Sequence, residues 1–380
     1  MSRPIRVLHL RDSPWVDGPG RTILETASHI DRTRVDYHVG ALVCDGATEH
    51  PLVDALRARG AQVHELRDRG GLDRELIAAI GRLIEELRID VLQSSEFRSN
   101  VFALLAGRRY PHVKLVATSH GWIANDLRGR IYRFIDKLLL PRFDRVIFVS
   151  HAMRRLVPRW WLPDERVCVL HNALVLSSYG AGLVNAPRRP IDLSSVTVLN
   201  VGRLSPEKGQ DLLLRALAAL VPEYPGLRLR FAGVGPLEGE LKQLAQALGI
   251  ADRVEFLGYV HDMPALYANV DLLVQSSLTE GLPNIVLEAA YLRVPLIATR
   301  VGGTDEVVEH MKSAWLIRPG SVSELVEAMR AFLASPERFV QMANAAHQGV
   351  LERFSFTART ERLMEFYGGL LSPALAGQPA

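Results

Sequence analysis

Two doubly wound α/β domains, each built on a parallel sheet, are what this sequence predicts, and three observations predict them. Short β-rich runs alternate with helix-period stretches along the whole chain, and parallel strands need the crossovers that such alternation supplies. The length, 380 residues, fits two domains of about 100–200 residues each. Between Ser177 and Ser195 the segment SSYGAGLVNAPRRPIDLSS is rich in Ser, Gly and Pro, carries no period and reads as the hinge. The expected division is residues 1–180 for the first domain and 181–355 for the second. Residues 356–380 then form a helix, Phe356–Leu371, that returns to the first domain, followed by a tail.

Taken in order, the strands of the first half are Ile5–Leu10, Val35–Val43, Gln62–Leu66, Val91–Ser94, Lys114–Thr118, Arg145–Val149 and Val167–Leu170. Each is a short apolar or β-branched run bounded by turn residues. Within this half Leu72–Leu87 places Leu72, Leu76, Ile80, Leu83, Ile84 and Leu87 three and four apart, the period of a helix that buries one face. The second half repeats the pattern with strands Val196–Val201, Arg228–Ala232, Val254–Leu257, Leu272–Gln275, Pro295–Ala298 and Ala314–Ile317. Asp211–Leu220 and Leu237–Leu248 are its clearest helices.

With 48% hydrophobic and 23% charged residues the composition excludes wholesale disorder, collagen and coiled coil. Cys44 and Cys168 cannot make a disulfide framework, and no histidine cluster beside them offers a zinc site, so a reducing cytoplasm is expected. The opening MSRPIRVLHLRD has charges on both sides of a six-residue apolar run, too short for an export leader. The longest uncharged stretch, Val167–Pro187, contains His171, Asn172, Ser177, Ser178 and Asn185, so no bilayer-spanning segment is expected.

The net charge of +3 hides an asymmetry: residues 1–180 carry 27 Lys and Arg against 21 Asp and Glu, whereas residues 181–380 carry 18 against 21. Arg128 to Arg159 holds nine basic residues against Asp136 and Asp144, and ends beside Trp160 and Trp161. A basic, aromatic-tipped face is what an anionic membrane surface attracts. The plainer reading is a solvated helix face with both tryptophans packed in the core. No nucleic-acid module is recognisable.

Strand Val196–Val201 runs into GRLSPEKG and then a helix. Gly202 and Gly209 permit a tight turn, Arg203 and Lys208 place two cations at the strand end, and a helix N-terminus adds free amides, so the loop suits a diphosphate. Further on, Glu280, GLPNIVL and Glu288 lie so that a helix beginning at Gly281–Pro283 carries Glu288 along the face that starts near Glu280. Two glutamates at that spacing also occur as solvated helix residues. Two more glycine loops, Gly233–Pro236 and Val301–Glu306, follow strands, but Glu238 stands where a dinucleotide fingerprint needs its third glycine. No Asp-any-Asp pair occurs in the chain, which removes the commonest cue for a metal-clamped diphosphate. In the first half, DGPGR offers Gly18 and Gly20 for close backbone approach and Arg21 for an anion. Lys114–Thr118 ends in SHGW, so His120 stands at a sheet edge; a lone histidine there is commonly structural.

Together these motifs resemble the retaining glycosyltransferases of family 4, with two Rossmann-like domains in the GT-B arrangement and an interdomain cleft. GRLSPEKG, GVGP, LGYV (Leu257–Val260), TEGLPNIVLE (Thr279–Glu288) and VGGTDEVV (Val301–Val308) stand in that family's order. The first loop, SHGW, VSHAM (Val149–Met153) and HNAL (His171–Leu174) carry the likeness through the first half. The resemblance implies a donor-binding second domain and an acceptor-side first domain. It implies that Arg203 and Lys208 neutralise the donor diphosphate and the leaving-group charge, and that Glu288 accepts hydrogen bonds from the ribose. Glu280, with the backbone of Gly281, Leu282 and Pro283, is similar in position to the family's donor-sugar glutamate. His120 matches the histidine near the reacting end of the sugar. Gly18, Gly20 and Arg21 match the loop that meets phosphates or acceptor, and Gly202 the turn below the diphosphate. Val234, Gly235 and Tyr259 lie where the base is held. Two departures stand out: Pro19 stiffens the first loop, and His261, Asp262 and Met263 after LGYV include no basic residue to select a base.

The expectation is a retaining, cytoplasmic glycosyltransferase needing neither metal nor other cofactor. A nucleoside-diphosphate-sugar is its donor, and a saccharide or lipid-linked intermediate its acceptor. An epimerase or hydrolase of the same architecture, and a non-catalytic sugar-nucleotide or lipid-binding module, are the alternatives. Nucleic acid is not an expected partner; the basic stretch Arg128 to Trp161 makes the inner membrane face one.

Overall fold

The computed structural model describes residues 3–47, 49–122, 127–179 and 188–371. The chain forms two compact units, one of Met1–Ala173 with Phe356–Ala380 and one of Leu174–Ser355. Part of the expected hinge, residues 180–187, lies outside the described residues.

Unit 1 contains a seven-stranded parallel sheet of β1 (Ile5–Arg11), β2 (Val35–Cys44), β3 (Gln62–Asp68), β4 (Val91–Ser95), β5 (Lys114–Ser119), β6 (Arg145–Phe148) and β7 (Val167–Val169). Their order is β3-β2-β1-β4-β5-β6-β7, with Val7 opposite both Tyr37 and Val91. Helices cover both faces, which is why the central strands read as nearly unbroken apolar runs. Val7, Val39, Val91, Val116 and Ile147 pack against Ile23, Leu24 and Ala27 of the helix Gly18–His29. The helix Arg74–Glu86 is capped by Asp73, which accepts from the amides of Glu75 and Leu76, and it buries Leu76, Ile80 and Ile84 one turn apart.

The helix Phe356–Leu371 belongs to unit 1 and adds Leu363, Met364 and Tyr367 to the same core. Its polar anchors are as specific as its apolar ones. The Tyr367 hydroxyl donates to Gln93 Oε1, Arg359 Nε donates to the His171 carbonyl at 3.1 Å, and Arg34 pairs with Glu361 at 2.6 Å.

Unit 2 contains a six-stranded parallel sheet of β8 (Thr197–Val201), β9 (Arg228–Ala232), β10 (Val254–Gly258), β11 (Leu272–Gln275), β12 (Leu296–Thr299) and β13 (Trp315–Ile317). Their order is β10-β9-β8-β11-β12-β13. Val198, Leu229, Phe231, Val274 and Ile297 pack on Leu213 and Leu217 of the helix Gln210–Leu220 and on Leu325 and Phe332 of Val322–Ala334. Every strand falls where the sequence places it, with ends shifted by no more than two residues.

The basic stretch of unit 1 departs from its plainer reading. Trp160 is 81% exposed, so only Trp161 is packed, its Nε1 donating to the Lys137 carbonyl at 3.2 Å. Arg154 is buried, spanning the Val157 and Leu162 carbonyls and Asp164, and is therefore a brace and not a surface charge. The side chains of Arg128 and Arg130 lie outside the description. Among the described residues no helix is long and apolar enough to cross a membrane.

Candidate active site

In unit 2 the strand order reverses between β8 and β11, the switch point at which open α/β sheets bind ligands beyond the carboxyl ends of their strands. The loop after β8 turns through a short 3-10 segment, Pro206–Lys208, and Gly209 before the helix Gln210–Leu220. Gly209 has φ +61°, and a Cβ there would collide with the Ser276 carbonyl, so the position requires glycine twice over. Ser276 Oγ donates to the Lys208 carbonyl at 2.9 Å, and the Leu278 amide donates to the Glu207 carbonyl at 2.7 Å. These bonds clamp the loop after β8 to the loop after β11.

The clamp brings two distant charges together. Lys208 Nζ donates to Glu280 Oε1 at 2.6 Å, and Ser277 Oγ donates to the same oxygen at 2.7 Å. The Lys208 and Glu280 side chains are 20% and 10% exposed, so this pair is less screened than a surface pair. Arg203 is exposed at the end of β8, its carbonyl held by Gln210 Nε2 at 3.0 Å; among the described residues its guanidinium forms no ion pair.

Glu288 lies on the helix Asn284–Tyr291 and is buried, its Oε2 accepting from the Tyr267 hydroxyl at 2.9 Å. This helix begins after Pro283, which is its N-cap, and not at Gly281–Pro283. Glu280 therefore precedes the helix, and the helical face expected to join it to Glu288 does not reach it. Each glutamate is instead placed by its own partner, Lys208 for one and Tyr267 for the other.

The remaining unit 2 residues sit on neighbouring strand ends that are stitched together. Gly202 donates its amide to Ala232, Leu204 to Val234, Gly233 to Gly258 and Gly303 to Gly281, over 2.7–3.1 Å. A Cβ on Gly235 would strike the Leu204 backbone. Val234 and Tyr259 are 52% and 64% exposed, and the Tyr259 ring meets the His261 ring edge-on at 4.8 Å. Leu282 and Pro283 are buried against the base of the loop.

In unit 1 the equivalent reversal falls between β1 and β4. Gly18 opens the helix Gly18–His29, and Arg21 stands on its first turn. The Gly20 amide is taken by Asp17 Oδ1 at 2.9 Å, so in this structure a carboxylate of the chain fills the place that sequence reasoning gave to a ligand anion. Asp17 also pairs at 2.9 Å with Arg11, which is fully buried and forms a second ion pair with Glu96. Glu96 follows β4 with φ +80°, a strained conformation for a residue with a side chain. Burial, reinforced by Asp12 and opposed by Arg11, pushes its carboxyl up to about 8.

His120 follows β5 and lines a cavity of about 180 Å³ together with Glu96, Thr118, Trp122, Tyr132 and Asp136. Its Nε2 is 3.4 Å from Ser95 Oγ, and its Nδ1 is buried without a hydrogen-bond partner among the described residues. Burial, then Arg11, His9 and Arg359, holds the imidazole well below its ordinary value, so it is neutral. Asp136 accepts from Trp122 Nε1 at 2.8 Å and Asn100 Nδ2 at 2.7 Å; burial raises its carboxyl against those two donors. An aromatic wall beside a neutral imidazole and two carboxyl groups is suited to hydroxyl-rich ligands. Sequence reasoning missed Glu96, Asp136, Tyr267 and Ser277 as site residues; none lies in a glycine loop, and Asp136, although next to Lys137, reads only as one acid within a basic stretch.

The comparisons with known proteins agree with this architecture. A family model described as Glycosyltransferase Family 4 matches residues 16–177, and one described as Glycosyl transferases group 1 matches residues 185–349. An uncharacterized glycosyltransferase of Haemophilus influenzae is 27% identical over 76% of this chain and 78% of its own length. A GDP-mannose-dependent alpha-(1-6)-phosphatidylinositol monomannoside mannosyltransferase of Mycolicibacterium smegmatis is 29% identical over 69% of this chain and 72% of its own. HepE of Anabaena, solved with UDP and glucose, matches the fold with a TM-score of 0.83 at 23% identity, covering 96% of this chain and 100% of that one. Two parallel-sheet α/β units and matches of this kind define a GT-B enzyme. The chain belongs to the glycosyltransferases of family 4.

Proposed function

We propose that this enzyme moves a sugar from a nucleoside-diphosphate-sugar to a saccharide or lipid-linked acceptor, with retention at the anomeric carbon and without a metal. The observation that carries the reading is the Lys208–Glu280 pair beside Arg203 at the switch point of unit 2. Lys208 and Arg203 offset the two charges of the departing diphosphate, and the donor competes with Glu280 for the ammonium. With Lys208 and Ser277 both on one oxygen, Glu280 acts as an electrostatic and positioning group for the sugar, not as a nucleophile. Glu288, set by Tyr267, receives the ribose hydroxyls. Gly202, Val234, Gly235 and Tyr259 border the base and diphosphate, with the backbone of Gly281, Leu282 and Pro283 beside the sugar. In unit 1, His120 contacts a saccharide in the cavity described above, and the loop of Gly18, Gly20 and Arg21, its Gly20 amide held by Asp17, meets a polar group of donor or acceptor through Arg21. The missing Asp-any-Asp pair supports metal independence, and family membership supports retention.

The acceptor side is read from the surface of unit 1. Ile131, Phe134, Leu156 and Trp160 are exposed, with Arg142, Arg155 and Arg159 exposed on the neighbouring segments. Lys137 Nζ donates to the Leu156 carbonyl, so the helix Leu127–Leu139 and the loop that holds Trp160 are adjacent. Exposed apolar side chains with cations on neighbouring segments fit an anionic bilayer surface, which supports a reading in which the enzyme works at the cytoplasmic membrane face on a lipid-linked acceptor. The mannosyltransferase relative, named for a phosphatidylinositol-linked acceptor, supports this reading.

A thermal-shift panel of uridine, guanosine and adenosine diphosphates and their glucose or mannose conjugates tests the proposal. The expected result is stabilisation by one base class, lost in Lys208→Ala. No shift with any nucleotide would overturn it.

A further inference from the structure

Four polar side chains of unit 1, three of them buried on the adjacent strands β2, β1 and β4 and the fourth just beyond β5, form a continuous line. The Tyr37 hydroxyl on β2 is 2.5 Å from His9 Nδ1 on β1; His9 Nε2 is 2.7 Å from Ser95 Oγ on β4; Ser95 Oγ is 3.4 Å from Nε2 of His120, just beyond β5. Tyr37, His9 and Ser95 are 5%, 4% and 0% exposed. None of the four makes another side-chain hydrogen bond among the described residues.

The chemistry of the first member sets the direction of every later proton. A buried phenol must donate its proton, and His9 Nδ1 is its one acceptor. A neutral His9 whose Nδ1 accepts carries its proton on Nε2 and donates to Ser95 Oγ. Ser95 has a single hydroxyl proton, which then points to His120 Nε2. A neutral His120 whose Nε2 accepts carries its own proton on Nδ1, the atom left without a partner among the described residues. Both rings are neutral over the working range: His9 is pushed down to about 3 by burial and by Arg11 and Arg359, and His120 is shifted the same way.

We propose that Tyr37, His9 and Ser95 form a relay that fixes His120 as its Nδ1–H tautomer, so that Nδ1 donates to a hydroxyl or ring oxygen of the saccharide bound in the unit 1 cavity. Tyr37, His9 and Ser95 are positioning residues; His120 alone touches the ligand. The ligand half rests on the functional reading above, whereas the tautomer half does not.

Long-range proton–nitrogen spectra of the full-length, 15N-histidine-labelled enzyme test both halves. In the wild type His120 Nδ1 should appear protonated and Nε2 unprotonated, unchanged between pH 6 and 8. Ser95→Ala should move His120 to the opposite tautomer or a mixture, Tyr37→Phe should do so more weakly, and Ser95→Thr, which keeps the hydroxyl, should restore it. UDP-glucose or GDP-mannose should shift the Nδ1–H signal where UDP and GDP alone do not, and Ser95→Ala should weaken binding of that nucleotide sugar about tenfold while leaving the plain nucleotide within twofold. A wild-type Nε2–H tautomer, or one indifferent to Ser95→Ala, overturns the relay. The expected tautomer with a signal that no bound nucleotide sugar moves overturns the ligand half. Failure of every nucleotide to bind overturns the functional reading and the ligand half with it, while the relay is judged on the tautomer alone.

Discussion

Lys208 and Glu280, 72 residues apart in the chain, meet as an ion pair at 2.6 Å with their side chains mostly withdrawn from water. Such a pair costs desolvation unless both ends have further work, and Ser277 supplies it for Glu280 only. The Lys208 ammonium keeps donor capacity for an incoming anion. Lys208→Ala should lower transfer by about tenfold or more, ~1.4 kcal/mol or above in barrier, and Glu280→Gln should do the same. The thermal midpoint of Glu280→Gln should stay close to wild type. Steady-state rates alongside melting curves measure this, and wild-type turnover in either variant would count against the assignment.

Glu288 is buried, so truncating it would mix lost function with lost packing. Tyr267→Phe is the cleaner probe because it removes one hydroxyl and leaves the ring. It should cost about 1–3 kcal/mol of stability, the range for a buried hydrogen bond to a carboxyl, and weaken binding of the nucleoside diphosphate in calorimetry. Unaltered affinity would separate Glu288 from the ribose.

Gly209→Ala tests the clamp. A side chain at φ +61° costs about 1–2 kcal/mol before any contact with Ser276 is counted. Because Ser276 holds the Lys208 carbonyl, the expected result is a lower melting temperature with a larger loss of donor binding than Tyr267→Phe produces.

Acid should weaken unit 1 through its buried histidines. Unfolded His9 binds a proton near 6.5, the folded one only near 3, so between those values the unfolded chain holds the extra proton. Stability attributable to His9 is complete above about pH 7 and is lost as pH falls through that window, at ~1.4 kcal/mol per pH unit. Urea midpoints at pH 4.5, 5.5 and 7 should fall progressively on acidification, and His9→Gln should flatten the slope.

The paired substitution Ile131→Asp and Phe134→Asp should abolish flotation with anionic liposomes, and Arg155→Glu should reduce it. Arg154 is unsuitable for such a test because it braces the loop from within. Flotation of the wild type that ignores anionic lipid content would remove the membrane reading.

The strands were legible because parallel strands covered on both faces must be short, apolar and separated by crossovers, and Val91–Ser95 or Leu272–Gln275 satisfy that locally. The loop GRLSPEKG was legible for the same reason: its glycines and cations sit within eight residues. What could not be read were relations set by strand order. Nothing near Glu280 in sequence announces Lys208, and nothing near His9 announces Ser95 or His120. The face argument for Glu280 and Glu288 failed at Pro283, where the first residue of the helix came later than the spacing assumed. Trp160 misled because an exposed tryptophan and a core one look alike without their neighbours.

The helix Phe356–Leu371 gives the enzyme an unusual order of assembly. The strands of unit 1 all precede unit 2 in the chain, yet Tyr367, which seals their sheet over Gln93, is made 274 positions after Gln93. Throughout translation the half-built sheet therefore waits with an uncovered apolar flank while the whole of unit 2 emerges and closes upon itself. Chaperone demand, and vulnerability to premature stop codons, should concentrate on the unit whose strands are translated before unit 2.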